Sequence, residues 1–221
     1  MILTEVMTEL EALGTQKQRD FNKKNGADDN QFGLKMGDLR VAAKKIKTDH
    51  ALAKELWATG NLDARLLSIL ICKPKEWTFE ELESMVPTVA VWQLADWLNS
   101  YVIKLHPQKE EMRLKWIDST DPMLQRSGWS LTSERVDKQA EGLDLGHLLD
   151  RIEAEMPGAH RSAQWTMNFT LASIGIHHPE FRSRALEIGE RLGVFRDYPT
   201  PKGCTSPFAP LWINEMVSRQ G

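Results

Sequence analysis

Cysteine is almost absent: Cys72 and Cys204 stand far apart in 221 residues, with no CxxC. That excludes a disulfide framework and a cysteine-built zinc site, and fits a reducing, cytoplasmic setting. Long apolar runs are missing as well. LLSILI at 66–71 is among the longest, far below the roughly 20 residues that span a bilayer. Alternating polar and apolar stretches are scarce, which argues against sheets. No Walker loop, no GxGxxG followed by an acid, no GxSxG and no HExxH occurs, so the commonest nucleotide, serine-hydrolase and zinc-protease chemistries lose their signatures. An excess of positive charge is lacking too. The net charge is −3, whereas proteins that coat nucleic acid indiscriminately are usually basic. The first residues, MILTEVMTELEALG, are acidic and amphipathic and read as a helix, not a signal peptide.

What is present is helical periodicity. Helices are expected over 2–13, 16–24, 36–47, 49–59, 62–72, 79–85, 88–105, 108–118, 121–135, 145–156, 159–175, 178–192 and 209–218. Gly14, Gly60-Asn61, Pro74, Pro87, Pro107, Asp121-Pro122 and Pro157-Gly158 punctuate them. Connections this short make neighbours antiparallel hairpins. Three stretches, ELWATGNLDARLLSIL, KWIDSTDPMLQRSGWSL and RIEAEMPGAHRSAQWTM, share a layout: a helix ends, the chain turns, and a second helix opens with Arg65, Arg126 or Arg161. The spacing suits HEAT-like repeats. The expected fold is therefore all-α, a right-handed solenoid of antiparallel HEAT-like hairpins whose second helices line a concave face. One domain is expected over 1–221, with N-terminal helices in 1–47, hairpins in 48–192, and an irregular tail with a short last helix in 193–221.

The stretch VWQLADWLNS (91–100) carries the clearest chemical hint. At 100° per residue, Val91, Leu94, Ala95, Leu98 and Val102 cluster within about 60° of one direction, while Trp92, Asp96, Asn99 and Ile103 form a second ridge roughly 110° away. Trp97 points away from that ridge. Spacing alone leaves two readings open: a boundary Trp shielding an exposed Asp, or a reaction site. Charge is also uneven. Residues 15–47 hold nine Lys/Arg against four Asp, whereas 76–100 hold five acids and no base, and an acidic protein can still present one positive groove. His177-His178 is a poor metal pair, because adjacent helical residues face different ways and no third ligand suggests itself. Neither a metal nor a cofactor is expected. Arg126 and Arg161 fit either a ligand-facing role or ion pairs between repeats.

Taken in order, several segments resemble the DNA alkylation repair proteins of the HEAT-like-repeat glycosylase type. They are FNKKNGADDNQFGLKMGDLR (21–40), LWATGNLDARLLSIL, Trp92 and Asp96 in W-x-x-x-D followed by LHP (105–107), Leu124-Gln125-Arg126, and Arg161-Ser162-Ala163-Gln164-Trp165. The resemblance implies excision of cationic N3- and N7-alkyl purines from double-stranded DNA by a monomer, without a base-flipping pocket. It assigns the catalytic carboxylate to Asp96, flat aromatic faces to Trp92 and Trp165, and a phosphate contact to Arg126. Arg161, Lys35, Arg40 and Asn168 are the further DNA contacts expected. Asn168 stands where relatives carry an arginine. That departure and the acidic net charge keep two other readings in view: a non-catalytic binder of distorted or branched DNA, and a protein-interaction solenoid.

Overall fold

The computed structural model describes residues 1–220. All thirteen expected helices form, with short 3-10 turns in some of the connections, and no strand occurs among the described residues. None of these helices is long and apolar enough to cross a membrane. The chain divides into two compact units, Met1–Lys109 and Glu110–Gly221.

Unit 1 contains α1 (Leu3–Leu13), α2 (Gln16–Lys24), α3 (Met36–Ile46), α4 (His50–Ala58), α5 (Leu62–Ile71), α6 (Phe79–Met85) and α7 (Trp92–Tyr101). Several of these starts have a local cause in side-chain caps. The Asp49 carboxylate accepts from the Leu52 amide to open α4, and Asn61 accepts from Asp63 and Ala64 to open α5. Thr78 and Glu81 form a reciprocal capping box on α6. The unit is built around α5, which packs against α3, α4 and α7. It buries Leu62, Leu66, Leu67, Ile69 and Ile71, and each such side chain removed from water stabilises the fold by roughly 1.5–3 kcal/mol.

One expected helix is divided. The stretch 88–105 begins helical winding only at Trp92: Pro87 sits in a 3-10 turn (Val86–Thr88), and Val89 and Val91 are extended. Its far end breaks at Val102, leaving a second 3-10 turn at Ile103–Leu105. The wheel drawn across the whole stretch therefore fails at Ile103, which is fully buried.

Unit 2 carries most of α8 (Lys109–Trp116), then α9 (Pro122–Lys138), α10 (Leu145–Glu155), α11 (Arg161–His177), α12 (Pro179–Leu192) and α13 (Ala209–Ser218). The longest helices, α9 and α11, pack together. Small and hydroxylated residues let them approach: the Thr170 hydroxyl donates to the Trp129 carbonyl (3.1 Å), and the hydroxyls of Ser133 and Ser173 meet at 3.1 Å. Gly128 is needed on the same helix, since a Cβ there would lie 2.3 Å from the Ile117 nitrogen. Helix α11 also packs against α12 and α13. It is consequently buried over most of its circumference.

Candidate nucleic-acid interface

In unit 1 the site begins with Arg65. Its guanidinium lies 4.9 Å over the Trp57 ring and donates to the carbonyls of Trp57 (3.3 Å) and Thr88 (3.1 Å). The second bond ties α5 to the turn just before α7. Arg65 thus serves as a structural tie that fixes where α7 starts. From that start Leu94, Ala95 and Leu98 go inward, while Trp92 (38% exposed) and Asp96 face out, one helical turn apart. Asn99 departs from the expected ridge: it is buried, and its Oδ1 has no hydrogen-bond partner. The stripe of outward residues is narrower than the wheel suggests, consisting of the indole and the carboxylate.

Arg40 and Lys35 are both exposed at the N-terminal part of α3 or just before it. The Arg40 guanidinium lies 5.3 Å over the Trp97 ring, which in turn meets Tyr101 edge-on at 5.6 Å. Trp97 therefore stays apart from Trp92 and Asp96, as its angular position implies, but it acquires a cation. The segment preceding Lys35 is held by a residue that local patterns do not single out. Asp63 is fully buried, and its carboxylate accepts from the backbone amides of Phe32 (2.7 Å), Gly33 (2.9 Å) and Leu34 (3.0 Å). Asn30 adds a bond from its side chain to the Thr59 carbonyl and accepts from the Leu62 amide. Much of the conspicuous segment 21–40 is thereby a clasp on the α4–α5 hairpin. Within NLD (61–63) Asn61 signals the helix cap, but nothing local signals the clasp.

In unit 2 the residues singled out from the sequence have unlike surroundings. Arg161 is exposed at the first turn of α11. Arg126 is 4% exposed, and its guanidinium donates to the Ser162 carbonyl at 3.2 Å. Trp165 is half-buried among rings: Phe169 at 5.5 Å, Phe195 at 5.2 Å and Tyr198 at 5.6 Å. Asn168 departs from the expected outward position. It is 1% exposed, and its amide donates to the Pro207 carbonyl at 2.7 Å. The cause is the segment between α12 and α13, which lies against α11 and covers this face. That segment is pinned by Arg196, which donates to the Glu190 carbonyl (2.8 Å) and carboxylate (2.9 Å) and lies 4.5 Å over the Phe208 ring.

The paired histidines have other tasks. The His178 ring is bonded to the Val136 carbonyl at 3.1 Å, and His177 lies 3.7 Å from Asp137. Among the described residues no group of three or more His, Cys, Asp or Glu could hold a metal ion. Cys72 is buried, and burial pushes its thiol above the ordinary value, away from the reactive thiolate.

The family model for the DNA alkylation repair enzyme matches residues 6–210. Two uncharacterized Listeria proteins are similar along nearly the full length: one from Listeria innocua is 27% identical and one from Listeria monocytogenes 26%, each alignment covering 96% of both chains. Among solved structures, a member of a new family of proteins related to the HEAT-like repeat DNA glycosylases, with affinity for branched DNA structures, superposes with a TM-score of 0.80. It is 25% identical, and the match covers 100% of this chain and 95% of that one. The HEAT-like-repeat architecture expected from the hairpin period is thus shared with that structure.

Proposed function

The chain belongs to the DNA alkylation repair enzyme family, and from that premise we propose that it is a DNA N-glycosylase releasing cationic N3- and N7-alkyl purines from double-stranded DNA. The observation that carries this reading is the outward Asp96, one turn from the outward Trp92 on α7. An alkylated purine already bears a positive charge and leaves without a general acid. The positive charge then develops on the sugar, as in glycoside hydrolysis generally. A carboxylate facing the surface stabilises that oxocarbenium-like charge and orients the attacking water. The indoles of Trp92 and Trp165 present faces that attract the sugar and the cationic base. Arg161, Lys35 and Arg40 are the proposed backbone contacts, and Arg126, buried and donating to the Ser162 carbonyl, positions the start of α11 that presents Arg161. Asn168, committed to Pro207, has no part in this reading.

The test is release of free base from methylated duplex DNA. Wild type should release it, and Asp96→Asn should lose about a hundredfold or more in rate while keeping its unfolding midpoint and its DNA affinity. Equal rates for the two proteins would remove Asp96 from the chemistry.

A second reading, binding of branched or distorted DNA without excision, has observations of its own behind it. The similar solved structure comes from a family with affinity for branched DNA, and Asn168 is turned to the tail. Wild-type protein that binds junctions in a salt-dependent way and releases no base would favour it.

A further inference from the structure

The tail between α12 and α13 is more than a connection. We infer that Phe195 and Tyr198 extend Trp165 into one aromatic platform that receives the cationic base, with Tyr198 a lesion-contacting residue. This rests on the glycosylase-family reading of Trp165 given above. Four observations converge on it.

Two left-handed residues close together redirect the chain after α12: Gly193 (φ +62°), which ends the helix, and Phe195 (φ +63°). Glycine adopts that conformation freely, but a phenylalanine there is strained, and such strain gathers at ligand-contacting positions. The strain is held in place from both sides. Arg196 grips Glu190 and Phe208, and Asn168 grips the Pro207 carbonyl.

The result is three mutually inclined rings. Phe195 meets Trp165 at 73° and Tyr198 at 87°, while Tyr198 meets Trp165 at 50°. An edge-on contact occupies a face of only one ring of the pair, whereas parallel stacking occupies a face of both. The cluster is also not sealed into the core: Tyr198 is 38% exposed, and Phe195 and Trp165 are half-buried. Arg161, exposed one turn before Trp165 on α11, supplies a cation beside the platform that suits the phosphate flanking such a base.

An electron-rich ring face favours a flat cation over a neutral ring of the same shape. That is the difference between an N7-alkylguanine and its uncharged counterpart. The platform therefore contributes discrimination by charge, a task distinct from the hydrolysis at Asp96.

The experiment compares affinity for two duplexes, one carrying N7-methylguanine and one carrying 7-deaza-7-methylguanine, which has the same outline and no charge. Wild type should prefer the charged duplex by about tenfold. Tyr198→Phe should keep that preference. Tyr198→Leu, which keeps apolar bulk and removes the ring, should lose most of it, with the unfolding midpoint reported alongside. A preference unchanged in Tyr198→Leu, or none in wild type, overturns the proposal. Because the readout is binding, it stands apart from base release: a protein that discriminates without excising would keep this inference and lose the enzyme reading.

Discussion

A carboxylate taken out of water is costly unless hydrogen bonds replace its hydration. Asp63 meets that condition with three backbone amides, 31, 30 and 29 positions back in the chain. Asp63→Asn keeps the shape but removes the charge and sets an amide N–H against another donor. We expect a loss of about 3 kcal/mol, read as a lower urea midpoint, with Phe32, Gly33 and Leu34 amides exchanging faster than in wild type. No change in either quantity would show that the clasp carries no stability. The same residue explains why the sequence misleads at this point. Asn61 and Asp63 look like ordinary residues of a helix start, and Asn61 is one. The second task of Asp63 depends on a partner some thirty positions away, which no local pattern contains. Asn168 is a parallel case, its partner being Pro207.

Helices were the most readable part of the chain, because their punctuation is local. Thr78 with Glu81, and Asp121 before Pro122, announce where α6 and α9 begin. The stretch around α7 was harder, since Val89, Ala90 and Val91 continue an apolar pattern without continuing the helix. The hairpin arrangement was readable, but the closest approaches between helices were not. Gly128 looks like a weak point in α9, yet it is where the backbone of Ile117 comes closest. Gly128→Ala should therefore cost about 1–3 kcal/mol through forced separation. Gly37 in α3 has open space around the added carbon, so Gly37→Ala should instead gain up to roughly 1 kcal/mol from helix propensity. Urea unfolding of the two variants should move the midpoint in opposite directions. A shift of the same sign in both would refute the packing argument.

At the scale of the whole molecule, pH reports on groups held away from their ordinary values, His50 and Glu110 among them. Burial, reinforced by nearby Lys54, lowers His50 below 6.5, so the unfolded chain takes up that proton more readily than the folded one. The associated stability is present above pH 6.5 and is lost as pH falls below it. Glu110 is held below 4.5 by its bonds to Arg113 and by Arg135. Its contribution is intact above pH 4.5 and declines beneath it. The urea midpoint should be level from pH 8 to 7, begin to fall near 6.5, and fall further below 4.5. His50→Gln should remove the first decline, and persistence of that decline would assign it elsewhere. Of the candidate interface, the pair Trp92 and Asp96 was readable because both lie on one helix, where angle follows from number. The surroundings of Trp165 were not, since Phe195 and Tyr198 reach it through two left-handed residues that no periodicity announces. The late return of the chain onto α11 and α12 also bears on how unit 2 is made. Ile213 presses on Gly175, Pro210 on Gly189, and Pro207 caps Asn168. During synthesis α11 and α12 must therefore wait with an apolar flank in water until residues 207–213 have emerged. This flank is where a chaperone would be expected to hold the nascent chain.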